Sequence, residues 1–154
     1  MRPTATFLIG LPASGKTTYR LKLPQDRLVT ISSDDLIDQW AREHGVTYTE
    51  AFRAINLRDV ERQMMAALDA AVLAEQSVVI DRTNMSRKSR AKLLGRLPQH
   101  YQRIAVAFEV PRDELERRLA ARAETTGKYI PPYVIETMLE QYEPPTHDEF
   151  EVIV

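Results

Sequence analysis

Eight residues near the start of the chain, Gly10-Leu11-Pro12-Ala13-Ser14-Gly15-Lys16-Thr17, match the spacing G-x-x-x-x-G-K-[ST] in full. Chemistry with phosphate needs such a run. Glycines let the backbone wrap round phosphate oxygens with its N–H groups pointing inward, and the start of a following helix adds a favourable field. Lys16 then reaches the β and γ phosphates, while Thr17 offers its hydroxyl to Mg²⁺. The expected nucleotide-binding set is Gly10 to Thr18 together with Arg118 and Arg122, and the expected ligands are ATP (or another nucleoside triphosphate) and Mg²⁺. Because switches, motors and kinases all use this loop, it does not choose among them.

The choice falls to residues elsewhere. Ser32-Ser33-Asp34-Asp35 follows the second apolar run, and ligands of an open parallel sheet gather beyond the carboxyl ends of its strands. A carboxylate there can take the proton of a hydroxyl that receives a phosphoryl group, a role suited to Asp34. The same run can equally do no more than cap a helix. Asp81 ends a third apolar run and is placed to act on the metal through water, or simply to end a strand in a turn. At helical spacing Arg118 and Arg122 fall within about 60° of the apolar Leu115, so they border the buried stripe instead of opposing it. There they can stabilise a transferring phosphoryl group, or only complement a helix dipole and surface charge. Arg82 and Arg87 lie near the strand end and, with Asp35, are candidates for holding an acceptor. His44, His100 and His147 are isolated and carry no assignment.

The elements that must hold these residues alternate between apolar runs and segments of helical period, which predicts an α/β fold: a parallel sheet of about five strands with helices on both faces and a helical lid. Strands are expected at Thr6–Ile9, Leu28–Ile31, Ser77–Asp81, in "RIAVAFEV" and in "FEVIV". Helices are expected over Gly15–Leu23, from "SSDD" to Gly45, over about 25 residues from the capping-box pair Thr47 and Glu50, a length that leaves an interruption open, over Ser86–Leu97, from Pro111 onward, and over Tyr133–Tyr142. Arg117, Arg118 and Arg122 fall in the last turn expected for the Pro111 helix, before a loop "AETTGKYIPP" whose Gly127 can hinge. The stripe Phe52, Ile55, Met64 and Leu68 reads as core, not as an aromatic platform for bases.

At 154 residues the chain suits one domain, spanning residues 1–154. Its 21 Lys and Arg nearly cancel 22 Asp and Glu, so no overall field draws it to nucleic acid, and a polyanion must be gripped locally. The absence of Cys excludes disulfides and thiolate metal sites. No apolar run reaches the roughly 20 residues of a membrane span, which leads to the expectation of a cytoplasmic protein without membrane partners. No oligomeric state follows from the sequence.

Taken together, "GLPASGKTT", "SSDDL", "TNM" at Thr83–Met85, "DELERRLAAR" at Asp113–Arg122 and "IPPYVIETM" resemble the kinase domain of phage polynucleotide 5′-kinase and its P-loop kinase relatives. The likeness spans nearly the whole chain, although only the loop is a sharp motif. It implies transfer of the γ-phosphate of ATP to a 5′-hydroxyl end of DNA or RNA, as in nucleic acid repair, on an adenylate-kinase-like sheet. The family's general base falls on Asp34, its loop lysine and hydroxyl on Lys16 and Thr17, and its lid arginines on Arg118 and Arg122. Two positions depart from the pattern. Ile37 stands where the family carries an arginine that grips the acceptor's phosphate, and Arg82 stands where it carries an Asp, with Asp81 one step earlier. A fused 3′-phosphatase domain is not expected. The alternatives are a P-loop kinase of a small-molecule alcohol or of a hydroxyl on a modified nucleobase, favoured by Ile37, and a nucleotide switch or NTPase with no acceptor.

Overall fold

Strands buried on both faces read as unbroken apolar runs, and each such run in this chain forms a strand. The computed structural model describes all 154 residues. Its strands β1 (Thr4–Ile9), β2 (Leu28–Ile31), β3 (Ser77–Asp81), β4 (Gln102–Ala107) and β5 (Val152–Ile153) form one sheet in the order β2-β3-β1-β4-β5. Every pairing is parallel. Side chains alternate across it. Ala5, Phe7, Ile9, Val78 and Ile80 share a core with Met64 and Leu68 of α4 (Leu57–Leu73) and Leu93 of α5 (Arg87–Leu94). Leu8, Val79 and Val106 face the other way, towards Tyr19 of α1 (Lys16–Leu21) and Leu23. This is the P-loop kinase fold, α/β with helices on both faces. No helix is long and apolar enough to cross a membrane.

Local signals place the helix ends. The Ser32 hydroxyl accepts from the Asp35 N–H, which starts α2 (Ser33–His44) and leaves Asp34 and Asp35 in its first turn; Gly45, at φ 65°, ends it. Thr47 and Glu50 form a reciprocal capping box that starts α3 (Tyr48–Ala54). The long helical segment expected from there is interrupted, as its length allowed, and forms two helices. The chain turns extended at Ile55, and the Asn56 side chain accepts from the Arg58 N–H to start α4 afresh. Apolar period alone does not register such a break, because it carries on across it. Helix α6 (Arg112–Thr126) runs further than expected, to Gly127 at φ 72°. Arg117, Arg118 and Arg122 are therefore not in its last turn, which holds no basic residue, and the helix dipole does not account for them. Helix α7 (Pro132–Gln141) follows a short loop.

The turn after β3 is braced from below. Asn84, at φ 51°, donates through its amide to the Leu8 carbonyl at 2.7 Å. Arg90, with 0% of its surface exposed, donates to the carbonyls of Asn84 at 2.9 Å and Glu143 at 2.8 Å and pairs with Glu149 at 2.9 Å. Burial opposes ionisation of Glu149, but the Arg90 hydrogen bonds and charge outweigh it and hold the carboxyl below its ordinary value. Because removing one partner of a buried pair strands the other, Arg90→Met is expected to cost about 3–5 kcal/mol of unfolding free energy in urea titrations. Removing the exposed Arg2, paired with Glu151 at the surface, is expected to move the midpoint far less.

Candidate active site

The loop between β1 and α1 closes against its neighbours. The Gly10 N–H donates to the Thr83 carbonyl at 3.0 Å, and a Cβ at Gly10 would lie 2.7 Å from Ser14 Oγ and 3.1 Å from Phe108 Cβ. Only glycine fits there. Gly15, at φ 107°, turns the chain into α1 without a side-chain cap. Lys16 is 8% exposed, and its ammonium donates to the carbonyls of Gly10 and Leu11, both at 2.8 Å. Burial lowers it to about 8, against the pull of Asp81 and Asp34 and with a further push from Arg122. The Ser14 hydroxyl is buried with no hydrogen-bond partner. An orphaned donor, a glycine-tight cradle and a buried ammonium together fit the oxygens of a phosphate chain.

Asp81 ends β3 opposite Leu8 in the register, on the α1 side of the sheet. Thr17 Oγ1 donates to its Oδ2 at 3.1 Å, and Arg20 Nη1 lies 3.0 Å from the same oxygen. Burial raises the Asp81 carboxyl above its ordinary value, with Arg20 and Lys16 pulling the other way. Arg20 also donates through Nη2 to Asp35 Oδ1 at 2.9 Å, so one guanidinium links β3 to α2. Sequence reasoning missed Arg20. The available signal was its spacing, three residues after Thr17 on the same helix face. No group of three or more His, Cys, Asp or Glu that could hold a metal ion is present, and the oxygens that meet at the loop are the Thr17 hydroxyl and the Asp81 carboxylate. That set fits Mg²⁺, which keeps several waters and leans on phosphate oxygens.

A polar cleft of about 860 Å³ opens above this floor. Lys16, Thr17, Arg20, Asp34, Asp35, Asp81, Arg82, Arg118, Arg122 and Lys128 line it. Arg118 reaches the Ala13 carbonyl at 3.3 Å and pairs with Glu114 at 2.9 Å. Asp35 is taken up by Arg20, and Arg82 lies 3.5 Å from Glu61. Arg87, expected beside an acceptor, lines neither this cleft nor the cavity next to it. Its guanidinium is bound to Thr146, Asp148 and Glu149, because the C-terminal segment folds back over α5, a long-range contact that local sequence does not reveal.

Beyond Asp34 lies a second cavity of about 490 Å³ with a different lining: Tyr48, Phe52, Tyr129, Ile130, Pro131, Tyr133, Val134 and Met138, with Arg53. Pro12, Asp34, Thr83, Arg122 and Lys128 belong to both spaces. Phe52 is 46% exposed and lines this cavity, whereas Met64 and Leu68 are core as expected. The break at Ile55 explains the difference, since α3 and α4 do not present one continuous stripe. Tyr48, also unforeseen, donates its hydroxyl to Asp34 Oδ1 at 2.5 Å, and Lys128 Nζ sits 4.6 Å from the centre of its ring.

Solved structures share this chain's fold. The chain is similar to a chain of the Pnkp1/Rnl/Hen1 RNA repair complex, at 26% identity over 91% of this chain and 44% of that one, with a TM-score of 0.69. It thus spans less than half the length of that relative. A fungal RNA kinase is 17% identical over 100% of this chain and 75% of its own, with a TM-score of 0.56. A gluconokinase from Sinorhizobium meliloti is 18% identical over 99% and 82%, with a TM-score of 0.52. These last two share the fold and carry no more than that. No curated protein sequence matches significantly. Residues 6–145 match the profile of a family described as AAA domain, and since that match takes in all but the two ends, the chain belongs to this family.

Proposed function

We propose that the protein transfers the γ-phosphoryl group of ATP to a 5′-hydroxyl end of DNA or RNA. The observation that carries this reading is the position of Asp34 and Arg122 on the wall common to the two spaces, one lined by the phosphate-binding loop and the other by aromatic rings. Donor and acceptor then meet at a carboxylate and a guanidinium. Four aromatic side chains, Tyr48, Phe52, Tyr129 and Tyr133, suit the flat face of a base next to the reacting hydroxyl. The RNA repair relative points the same way.

In this reading Lys16 and the loop N–H groups hold the donor's phosphates, with Thr17 and Asp81 on the metal side. Mg²⁺, when bound, neutralises charge on those phosphates. Asp34 accepts the proton of the acceptor hydroxyl as its oxygen bonds to the γ-phosphorus, and the bond from that phosphorus to the β–γ bridging oxygen breaks, releasing ADP. Arg122 and Arg118 balance charge on the moving group. Alignment of donor and acceptor across the shared wall supplies most of the rate.

A second reading keeps the enzyme and replaces the acceptor by a small alcohol. It is favoured by Ile37, which is 2% exposed in the packing between α2, α3 and α4 and so supplies no cation to an acceptor phosphate.

Incubation with labelled ATP and Mg²⁺ is expected to label a 5′-hydroxyl oligonucleotide and not its 5′-phosphorylated counterpart. Labelled free phosphate in every tube, acceptor or none, would instead identify an NTPase. Asp34→Ala is expected to lower transfer by about 10²–10⁴-fold while the ATP dissociation constant stays within about threefold; unchanged turnover at saturating ATP would remove the base assignment.

The buried ammonium sets a pH dependence. Lys16 loses its proton near pH 8 in the free protein, and phosphate binding requires the charged form. ATP affinity, followed by calorimetry, is therefore expected to fall as pH rises above about 8, by up to about tenfold per unit. The fall is expected to vanish in Lys16→Met, which binds more weakly throughout.

A further inference from the structure

Tyr48 touches the carboxylate on which the proposed transfer turns. Its hydroxyl donates to Oδ1 of Asp34 at 2.5 Å. A carboxylate accepts from about four directions, and an exposed one at the start of a helix rotates freely unless something holds it. Engaging Oδ1 restrains that rotation and leaves Oδ2 as the oxygen without a side-chain donor.

Tyr48 is itself held on every side. The Thr47–Glu50 capping box anchors its backbone at the start of α3. Its ring stacks on Phe52 with 6.1 Å between centroids and 29° between planes. Lys128 covers the ring at 4.6 Å and is in turn tethered to Asp38 at 2.9 Å. Next along the chain, Thr49 Oγ1 donates to the Gly127 carbonyl at 2.5 Å. Residues from α2, α3 and the junction of α6 with α7 therefore converge on one phenol. Burial, followed by the charge of Asp34, raises that phenol well above its ordinary value, although Arg122 opposes the shift. The hydroxyl keeps its proton at any working pH and donates it in the hydrogen bond to Asp34.

We infer that Tyr48 is a positioning residue, which orients the Asp34 carboxylate so that Oδ2 faces the acceptor hydroxyl. The inference rests on the phosphotransfer reading above. It assigns no proton transfer to Tyr48, since the hydroxyl proton of the acceptor goes to Asp34 and Tyr48 retains its own.

The test is a double-mutant cycle on the full chain with Mg-ATP and a 5′-hydroxyl oligonucleotide: wild type, Tyr48→Phe, Asp34→Asn and the double variant. Tyr48→Phe keeps the ring and its packing. It is expected to lower kcat about 30-fold with KM for both substrates within about threefold, and to add less than about threefold when Asp34→Asn is already present. An equal loss on both backgrounds, or a KM effect in place of a kcat effect, overturns the positioning role. A second measurement needs no Tyr48 variant: the wild-type proton NMR spectrum is expected to hold a downfield, slowly exchanging hydroxyl resonance that moves in Asp34→Asn. Its absence also overturns the role. Should wild type label no acceptor at all, the transfer reading falls and takes this inference with it. Wild-type product accompanied by additive losses removes the inference alone.

Discussion

The Asp81 carboxylate joins the parts of this molecule that no local rule brings together. It ends β3, accepts the Thr17 hydroxyl and lies against Arg20, whose second nitrogen continues to Asp35 at the start of α2. The sheet, α1 and α2 are thereby tied through one guanidinium between two acids. Burial raises the cost of the Arg20 and Asp81 charges, so these two hold only as a pair. The sheet order makes it possible: β3 lies between β1 and β2, which brings the end of β3 beside the loop that leaves β1.

Above that cluster the two spaces meet at Asp34, and their linings differ in kind. The larger is polar and collects Lys16, Arg20, Arg118 and Arg122 around the loop; the smaller is walled by tyrosines, Phe52 and aliphatic side chains. The chain carries almost no net charge, so its attraction for phosphate comes from this local collection and not from its overall field. The aromatic rings stay partly exposed, Tyr133 at 72% and Tyr129 at 62%, a state that a core would not tolerate and that a binding surface uses.

Several features were legible because they are local. The phosphate loop depends on backbone conformations that glycine alone permits, and these leave a fixed spacing of residue types. The ends of α2 and the start of α3 follow from Ser32, Gly45 and the pair Thr47 and Glu50, each acting within four residues. Strands β2 and β3 have the bounds expected, since short apolar runs in a parallel sheet end where burial ends. What local pattern did not locate was set by a distant or competing partner. Asn56 interrupts a helix whose apolar period continues, and the segment from Glu143 to Glu149 captures Arg87 and Arg90 from more than fifty residues away.

By itself the sequence determined that this chain wraps phosphate and alternates strands with helices, because hydrogen bonding within a turn and the two periods of side-chain direction are written in neighbouring residues. Only the tertiary structure decided which of the acids and arginines share a space. Arg20, Tyr48 and Lys128 entered the site, and Arg87 left it, through contacts made across the fold. Pairings of that kind depend on strand order and helix packing, and residues far apart in the chain leave no fixed spacing by which to find one another.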